Sequence, residues 1–488
     1  MRSDSQASAL APLVLLIRPC FINHPGLRAE FEQYAPMGLL TIAAILQSHG
    51  YEVRLLDLAE SDDPLPLVFR YLQALEREPV AVGLTIYTES VQKCARIQDM
   101  VRRLLPRAKI IAGGPHVNFC YEEVLLQSPV DFVVRGEGEA TIIELLEAIL
   151  HPGLPLNLIN GIGFRTSSGE VSCTPDRLPV RDLDQLPIPA YHLNPVRGRR
   201  RKLSLISSRG CIGNCVFCAS RALSGSLYRT NSPEWMFSVV YAEYLREPFF
   251  WILILDDSFT INARRAIRFC KLLQAWDVKV GWSARSRVDA LREDLVLNMA
   301  LAGCRTVHIG VESADEFVLS NIGKGITMAQ IRESVRLLVV NNITVVASFI
   351  FGLPHETRET MEKTLLLALA IREFGKESAG TCTPYPGTPL FVCRDQLGIQ
   401  IKVQNWSFYN LITPIFETEA ISLKDIAMIR ILHSTYTFDS LPMNLLSANP
   451  HQELRMELSE WINEMKTLRN NTHAKQPPFA LPRSSMQE

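Results

Sequence analysis

The chain has 488 residues, 47% of them hydrophobic, with 50 lysines and arginines against 51 aspartates and glutamates. That length allows about two to four domains, and the apolar content excludes wholesale disorder. The even charge balance leaves no electrostatic footprint for nucleic acid or an anionic membrane surface.

The early run ALAPLVLLI faintly resembles a signal peptide, but it has no convincing cleavage site and passes directly into RPCFINHPG. A first β-strand is therefore expected. No apolar run approaches the roughly 18–20 residues that span a bilayer. Strand-like runs at 13–19 (LVLLIRP), 51–58 (YEVRLLDL), 79–88 (PVAVGLTIYT), 109–116 (KIIAGGPH) and 131–139 (DFVVRGEGE) alternate with helical stretches such as APMGLLTIAAILQSHG. This pattern predicts a doubly wound, Rossmann-like parallel sheet over residues 10–150. Such sheets bind ligands at the carboxyl ends of their strands, where LTIYTES, AGGPH and RGEGE supply glycines and hydroxyls.

Residues 151–202 are rich in proline and glycine and read as a linker with small strand-like pieces. A second series begins at 203–210 (LSLISSRG) and continues at 251–258 (WILILDDS), 280–286 (VGWSARS), 306–313 (TVHIGVES), 344–354 (TVVASFIFGLP) and 378–386 (SAGTCTPYP). Each interval leaves room for one helix. Six such units over 203–390 predict a partial (β/α)6 TIM-like barrel, whose chemistry gathers at the carboxyl ends of its strands. Those ends carry three cysteines, then Asp256 and Asp257, Arg285, Glu312 and Ser313, Gly352 and Tyr385. Residues 391–470 read as a mostly helical segment, and 471–488 as a disordered tail.

Eleven cysteines are present, and three of them crowd into SSRGCIGNCVFCASRA as Cys211, Cys215 and Cys218. The other eight sit singly in apolar contexts, unlike a secreted disulfide framework, so a reducing cytoplasm is expected. Three thiolates at i, i+4 and i+7 can converge on one metal centre. Structural zinc wants four protein ligands, and neither Cys270 nor His192 has the spacing to supply the fourth. Three thiolates can also hold three irons of a [4Fe-4S] cluster and leave the fourth iron open. Chain order favours the cluster and leaves zinc as the alternative.

The pattern Cys-x3-Cys-x-aromatic-Cys, with Phe217 as the aromatic residue, resembles the signature of radical S-adenosylmethionine (SAM) enzymes. The resemblance implies that SAM chelates the open iron, that Phe217 lies along adenine, and that reductive cleavage yields a 5′-deoxyadenosyl radical. LDDSFT resembles the family's second-strand element near the methionyl group, implicating Asp256 or Asp257, with Asp257 preferred. IGVES resembles the fourth-strand segment whose carboxylate, Glu312, reaches the ribose. FIFGLPHET resembles the fifth-strand glycine motif, placing Gly352 beside adenine, and Arg285 is implied to help hold SAM. TPYPGTPL resembles the sixth-strand turn of the same branch.

With AGGPHV and VRGEGEAT ahead of the cysteine loop, residues 10–390 are similar to the cobalamin-binding branch of radical SAM enzymes. The resemblance implies cobalamin contacts from Thr85, Gly113, Gly114, Pro115, His116, Gly136, Glu137 and Gly138. There is no Asp-x-His-x-x-Gly motif, so His116 is expected at the cofactor face or in a structural role rather than on cobalt. The implied function is methylation of an unactivated carbon in a small-molecule substrate, with an external flavodoxin- or ferredoxin-type electron donor. Cyclisation or oxidative rearrangement in tetrapyrrole or secondary-metabolite synthesis is the alternative. Methylthiotransfer to RNA fits less well, since Cys20, Cys94 and Cys120 do not form a second cluster motif, and a non-catalytic cobalamin or iron–sulfur sensor less well still.

Overall fold

Five apolar runs build the parallel part of the first sheet: β1 (Leu13–Arg18), β2 (Glu52–Asp57), β3 (Ala81–Thr85), β4 (Lys109–Gly113) and β5 (Phe132–Val134). The structure is a computed structural model that describes residues 10–20, 34–61, 63–194, 202–447 and 451–473. Every residue of β1 is buried, as expected for a strand covered on both faces. Leu15 and Ile17 pack against the helices α2 (Pro64–Gln73), α3 (Val91–Leu104) and α4 (Val117–Gln127) through Val68, Ile97 and Val124. Val14 and Leu16 face α1 (Met37–Ser48) and α5 (Glu139–Leu150) through Leu46 and Leu145. The strand order begins β2-β1-β3-β4-β5. Its direction reverses between β1 and β3, the point where a doubly wound sheet opens a ligand crevice.

Two further strands, β6 (Ile162–Arg165) and β7 (Val171–Cys173), extend this sheet antiparallel beyond β5. Residues 151–194, expected as a linker, therefore join the first compact unit, residues 1–197. Strands of four and three residues are too short to show a period of two. Their place comes from pairing, Phe132 with Phe164 and Val134 with Ile162. Downstream, the Ala190 amide donates to Leu40 O at 3.0 Å. Residues 195–201 of the expected linker lie outside the described residues.

The second unit, residues 198–488, holds six parallel strands: β8 (Lys202–Leu205), β11 (Trp251–Ile254), β12 (Gly281–Arg287), β13 (Cys304–Glu312), β14 (Thr344–Phe351) and β15 (Lys376–Thr381). They pair in chain order from β8 to β15, and the two end strands are not paired with each other. A two-residue antiparallel ladder, β9 (Ser208–Arg209) with β10 (Arg229–Thr230), closes the base of the cysteine loop. Along β13, Val307, Ile309 and Val311 are fully buried beneath helices, while Thr306, His308 and Gly310 are half-buried on the other face.

Between these strands run α6 (Ser220–Ser224), α7 (Pro233–Arg246), α8 (Ala263–Ala275), α9 (Glu293–Leu301), α10 (Glu316–Asn321), α11 (Met328–Val340) and α12 (Arg358–Arg372). Side-chain caps start several of them: Ser232 accepts from Trp235 N, and Thr327 and Thr357 form capping boxes. Such caps satisfy amides that the first turn leaves unpaired.

Beyond the barrel come α13 (Pro389–Val392), α14 (Leu423–Thr435) and α15 (His451–His473). His433 on α14 lies 2.8 Å from Glu377 of β15. His451 on α15 lies 2.9 Å from Glu362 of α12, with both side chains fully buried. Of the expected disordered tail, residues 471–473 end α15 and 474–488 lie outside the described residues. Among the described residues no helix is long and apolar enough to cross a membrane.

Candidate active site

The loop that leaves β9 carries Cys211, Cys215 and Cys218, all partly exposed and free. Gly210 turns the chain at φ +87°, where a Cβ would run into Leu227 O. Val216 N donates to Ile322 O at 3.0 Å, and Leu390 N donates to Val216 O at 2.9 Å. A Cβ on Gly323 (φ +70°) would collide with Asn214 O. The loop is thus clamped from two sides. Cys211 Sγ accepts from Gly213 N at 3.4 Å, the Cys215 thiol faces Gly323 O at 3.8 Å, and that of Cys218 faces Ser220 Oγ at 3.3 Å.

Tetrahedral zinc with Zn–S bonds of about 2.3 Å needs sulfurs about 3.8 Å apart. Among the described residues, the only His/Cys/Asp/Glu trio with ligand atoms all within 4.8 Å of one another is His116, Cys120 and Glu123. The three loop sulfurs therefore do not all lie within 4.8 Å of one another.

Asp256 and Asp257, indistinguishable in the sequence, have different surroundings. Asp256 is buried. It accepts from Ser207 N (2.6 Å), Ser207 Oγ (2.7 Å) and Ser208 N (3.1 Å), which fixes the strand end ahead of the cysteine loop. Asp257 remains solvent-accessible. Surrounding protein desolvates its carboxyl and raises it, against a hydrogen bond from Ser220 and the charge of Arg285. Ser220 thereby joins Cys218 to Asp257. Burial likewise pushes up the free thiols of Cys215 and Cys218, with Lys324 opposing this at Cys215 and Ser220 at Cys218.

Glu312 occupies the end of β13 at φ +69°, in the left-handed region that side chains rarely adopt. A bulge between Gly310 and Glu312 sets this conformation: Gly310 pairs with Ser348 and Glu312 with Phe349, leaving Val311 extra. The turned carboxylate meets Lys324 Nζ at 2.9 Å, with the two side chains 9% and 8% exposed. Burial alone would lower the Lys324 ammonium, but the Glu312 charge and hydrogen bond, together with Cys215, hold it above its ordinary value. A Cβ at Gly310 would overlap Glu312 Oε1.

Arg287 lies beside the same loop. It forks onto Asp289 (2.9 and 2.8 Å) and donates to Lys324 O at 3.0 Å. Its NH1 is also the nearest heavy atom to a Cβ built on Gly213, at 3.1 Å. Sequence reasoning passed over Lys324, Arg287 and Ser220. Arg287 was findable, because it is two residues beyond Arg285 and so on the same strand face. Phe217 is half-buried on the loop. Gly352 turns at φ +85°, its N–H donating to Glu356 Oε2 at 2.8 Å, and a Cβ there would lie 2.8 Å from Ile426 of α14. Glu356 is fully buried, and desolvation raises its carboxyl to about 8.

In the first unit the expected strand ends also cluster. Gly114 turns at φ +101°, and a Cβ would stand 2.6 Å from Thr85 Oγ1 and 2.8 Å from Ile86 N. Gly113 pairs with Thr85 across β4 and β3. Pro115 leads into α4, and His116 is buried with Nδ1 3.3 Å from Thr88 Oγ1. Burial lowers this imidazole to about 4. Asn118, unforeseen from sequence, bridges the two glycine loops: its Nδ2 donates to Gly114 O at 3.1 Å and its Oδ1 accepts from Gly136 N. Gly136 has φ +73°, Gly138 precedes α5, and Glu137 Oε2 accepts from Val180 N at 2.7 Å.

Six parallel strands with a clamped three-cysteine loop at the first strand's end define a radical SAM domain, and the doubly wound domain ahead of it adds a crevice for a second cofactor. Family models bear this out: B12 binding domain over residues 29–146 and Radical SAM superfamily over 205–368. The chain is 31% identical over 410 residues to an uncharacterized methyltransferase of Pyrococcus horikoshii, covering 82% of this chain and 86% of that protein. It is 29% identical over 422 residues to the anaerobic magnesium-protoporphyrin IX monomethyl ester cyclase of Rubrivivax gelatinosus, covering 83% of this chain and 74% of the cyclase. Its fold matches the radical S-adenosylmethionine methyltransferase TsrM from Kitasatospora setae, solved with cobalamin and a [4Fe-4S] cluster, at a TM-score of 0.69 and 18% identity, over 96% of this chain and 100% of that one. The chain belongs to the cobalamin-binding radical SAM enzymes, and its cofactors are a [4Fe-4S] cluster, SAM and cobalamin.

Proposed function

We propose that this enzyme methylates an unactivated carbon of a small-molecule substrate, working in a reducing cytoplasm with a flavodoxin- or ferredoxin-type electron donor. The observation that carries the reading is the clamped cysteine loop with the Glu312–Lys324 pair beside it. When bound, the cluster supplies the electron that cleaves SAM, and cobalamin carries the methyl group. Cys211, Cys215 and Cys218 hold three irons, and Phe217 and Gly352 flank the adenine. Asp257 and Arg285 serve the methionyl end, and Glu312, aimed by Lys324, serves the ribose. Thr85, Gly113, Gly114, Pro115, His116, Gly136, Glu137 and Gly138 line the cobalamin crevice, with Asn118 holding its two loops together.

The likeness to a magnesium-protoporphyrin ester cyclase favours one second reading, ring closure with the same cofactors. Anaerobic reconstitution with iron, sulfide and methylcobalamin, followed by product mass, separates the two, since only methylation adds one methylene unit. Cys215→Ala should abolish reductive SAM cleavage. Retained cleavage in that variant sinks the cluster assignment.

A further inference from the structure

The hydroxyl of Ser220 stands between a cysteine of the loop and a carboxyl beyond the end of β11. The Cys218 thiol donates to Ser220 Oγ at 3.3 Å, and Asp257 accepts from the same hydroxyl. The Ser220 amide also bonds to the Cys218 sulfur. Ser220 opens α6, just beyond Cys218, and Asp257 follows β11, which ends at Ile254. Two segments far apart in the chain are joined through one oxygen. Ser220 and Cys218 are half-buried and Asp257 is open to solvent, so a ligand can reach the carboxyl.

A serine hydroxyl has one proton to donate. In the free loop nothing competes for it, because the thiol donates to the oxygen and the oxygen donates to Asp257. A cysteine that ligates metal does so as the thiolate, which can only accept. The one hydroxyl proton is then claimed by both Cys218 Sγ and Asp257. Hydrogen bonds to the ligating sulfurs are among the factors that set an iron–sulfur reduction potential. They favour the reduced state, which carries more negative charge. We propose that Ser220 is a positioning residue whose hydroxyl turns from Asp257 to the Cys218 sulfur when SAM engages Asp257, so that SAM binding eases reduction of the cluster. The inference rests on the proposed place of Asp257 at the methionyl end. A donor group of SAM set against that carboxyl replaces Ser220 there and releases its proton to the sulfur.

The test is a redox titration of the reconstituted holoenzyme, followed by the paramagnetic resonance signal of the reduced cluster. It is run with and without saturating S-adenosylhomocysteine, which keeps the methionyl amine and carboxylate but is not reductively cleaved. Wild type, Ser220→Ala and Ser220→Thr are compared. The alanine variant loses the hydroxyl alone, since the amide bond to Cys218 remains, and it should load iron as wild type does. In wild type the analogue should raise the reduced-to-oxidised ratio at fixed potential about tenfold, which is about 59 mV for one electron. Ser220→Ala should lose most of that rise, and Ser220→Thr should restore it. No rise in wild type, an undiminished rise in Ser220→Ala, or no rescue by threonine overturns the inference. Calorimetric affinity for the analogue in Asp257→Ala separates the two readings. Weakened binding there keeps Asp257 among the SAM contacts, so an undiminished rise in Ser220→Ala then overturns the role of Ser220 alone. Wild-type affinity in Asp257→Ala removes Asp257 from those contacts and the inference falls with it.

Discussion

Replacing Lys324 by methionine removes one charge from a pair whose side chains are both under 10% exposed and whose polar atoms are 2.9 Å apart. Charges centred about 4 Å apart attract by about 4 kcal/mol at an effective dielectric of about 20. Deleting one partner of a buried pair typically costs about 3–5 kcal/mol, because the survivor is left desolvated. The pair also works against local strain, since a left-handed non-glycine residue such as Glu312 costs about 1–3 kcal/mol. Urea unfolding followed by circular dichroism, read at the second unit's transition, would be measured for Lys324→Met, Glu312→Met and the double variant. The first should lose about 3–5 kcal/mol, and the double variant should recover at least about half, because an apolar pair of similar volume leaves nothing unpaired. A Lys324→Met cost below about 1 kcal/mol would refute the reasoning. So would a double variant that simply summed the two losses.

Gly323→Ala should drive a methyl into Asn214 O and loosen the cysteine loop; iron per chain after reconstitution should fall severalfold while far-ultraviolet dichroism stays unchanged. Gly114→Ala meets Thr85 Oγ1 and Ile86 N at an unfavourable φ, a strain of about 1–3 kcal/mol, and cobalamin retained through desalting should drop at least tenfold. A Gly114→Ala protein that kept its full cobalamin would remove Gly114 from the crevice. Burial alone would raise the Glu362 carboxyl, but hydrogen bonds from Ser447, Arg358 and His451 bring it below its ordinary value. A depressed carboxyl stabilises above the ordinary carboxylate pKa of about 4.3 and loses that contribution as pH falls through the folded value. Docking of α15 should therefore weaken below about pH 4, seen as a fluorescence change at Trp461, which stands edge-on to Phe374; an identical transition in Glu362→Gln would place its origin elsewhere.

The parallel strands were legible because buried strands read as continuous apolar runs ending abruptly in glycine or charge, as LVLLIRP and TVHIGVES do. The strand ends then singled out Cys211, Asp257 and Glu312 as candidates without any knowledge of pairing. Lys324 was not legible: it stands alone between two glycines, and only the bulge at Val311 turns Glu312 toward it. Nor could spacing separate Asp256 from Asp257, since their difference is which of two adjacent carboxylates meets the Ser207 and Ser208 amides. The short strands β6 and β7 hid in a stretch rich in proline and glycine because their identity lies in cross-strand partners, which composition does not carry.

The unpaired seam between β8 and β15 has a consequence for what the catalytic cup can admit. A closed barrel fixes its radius through strand number and shear. A six-stranded sheet whose ends are not joined to each other has no such constraint, so small changes in twist per strand widen or narrow the cup without altering the cysteine loop at one rim. Substrate size in this architecture is then set by curvature and by whatever lines the gap, and a change of substrate can leave the radical-generating strand ends where they are.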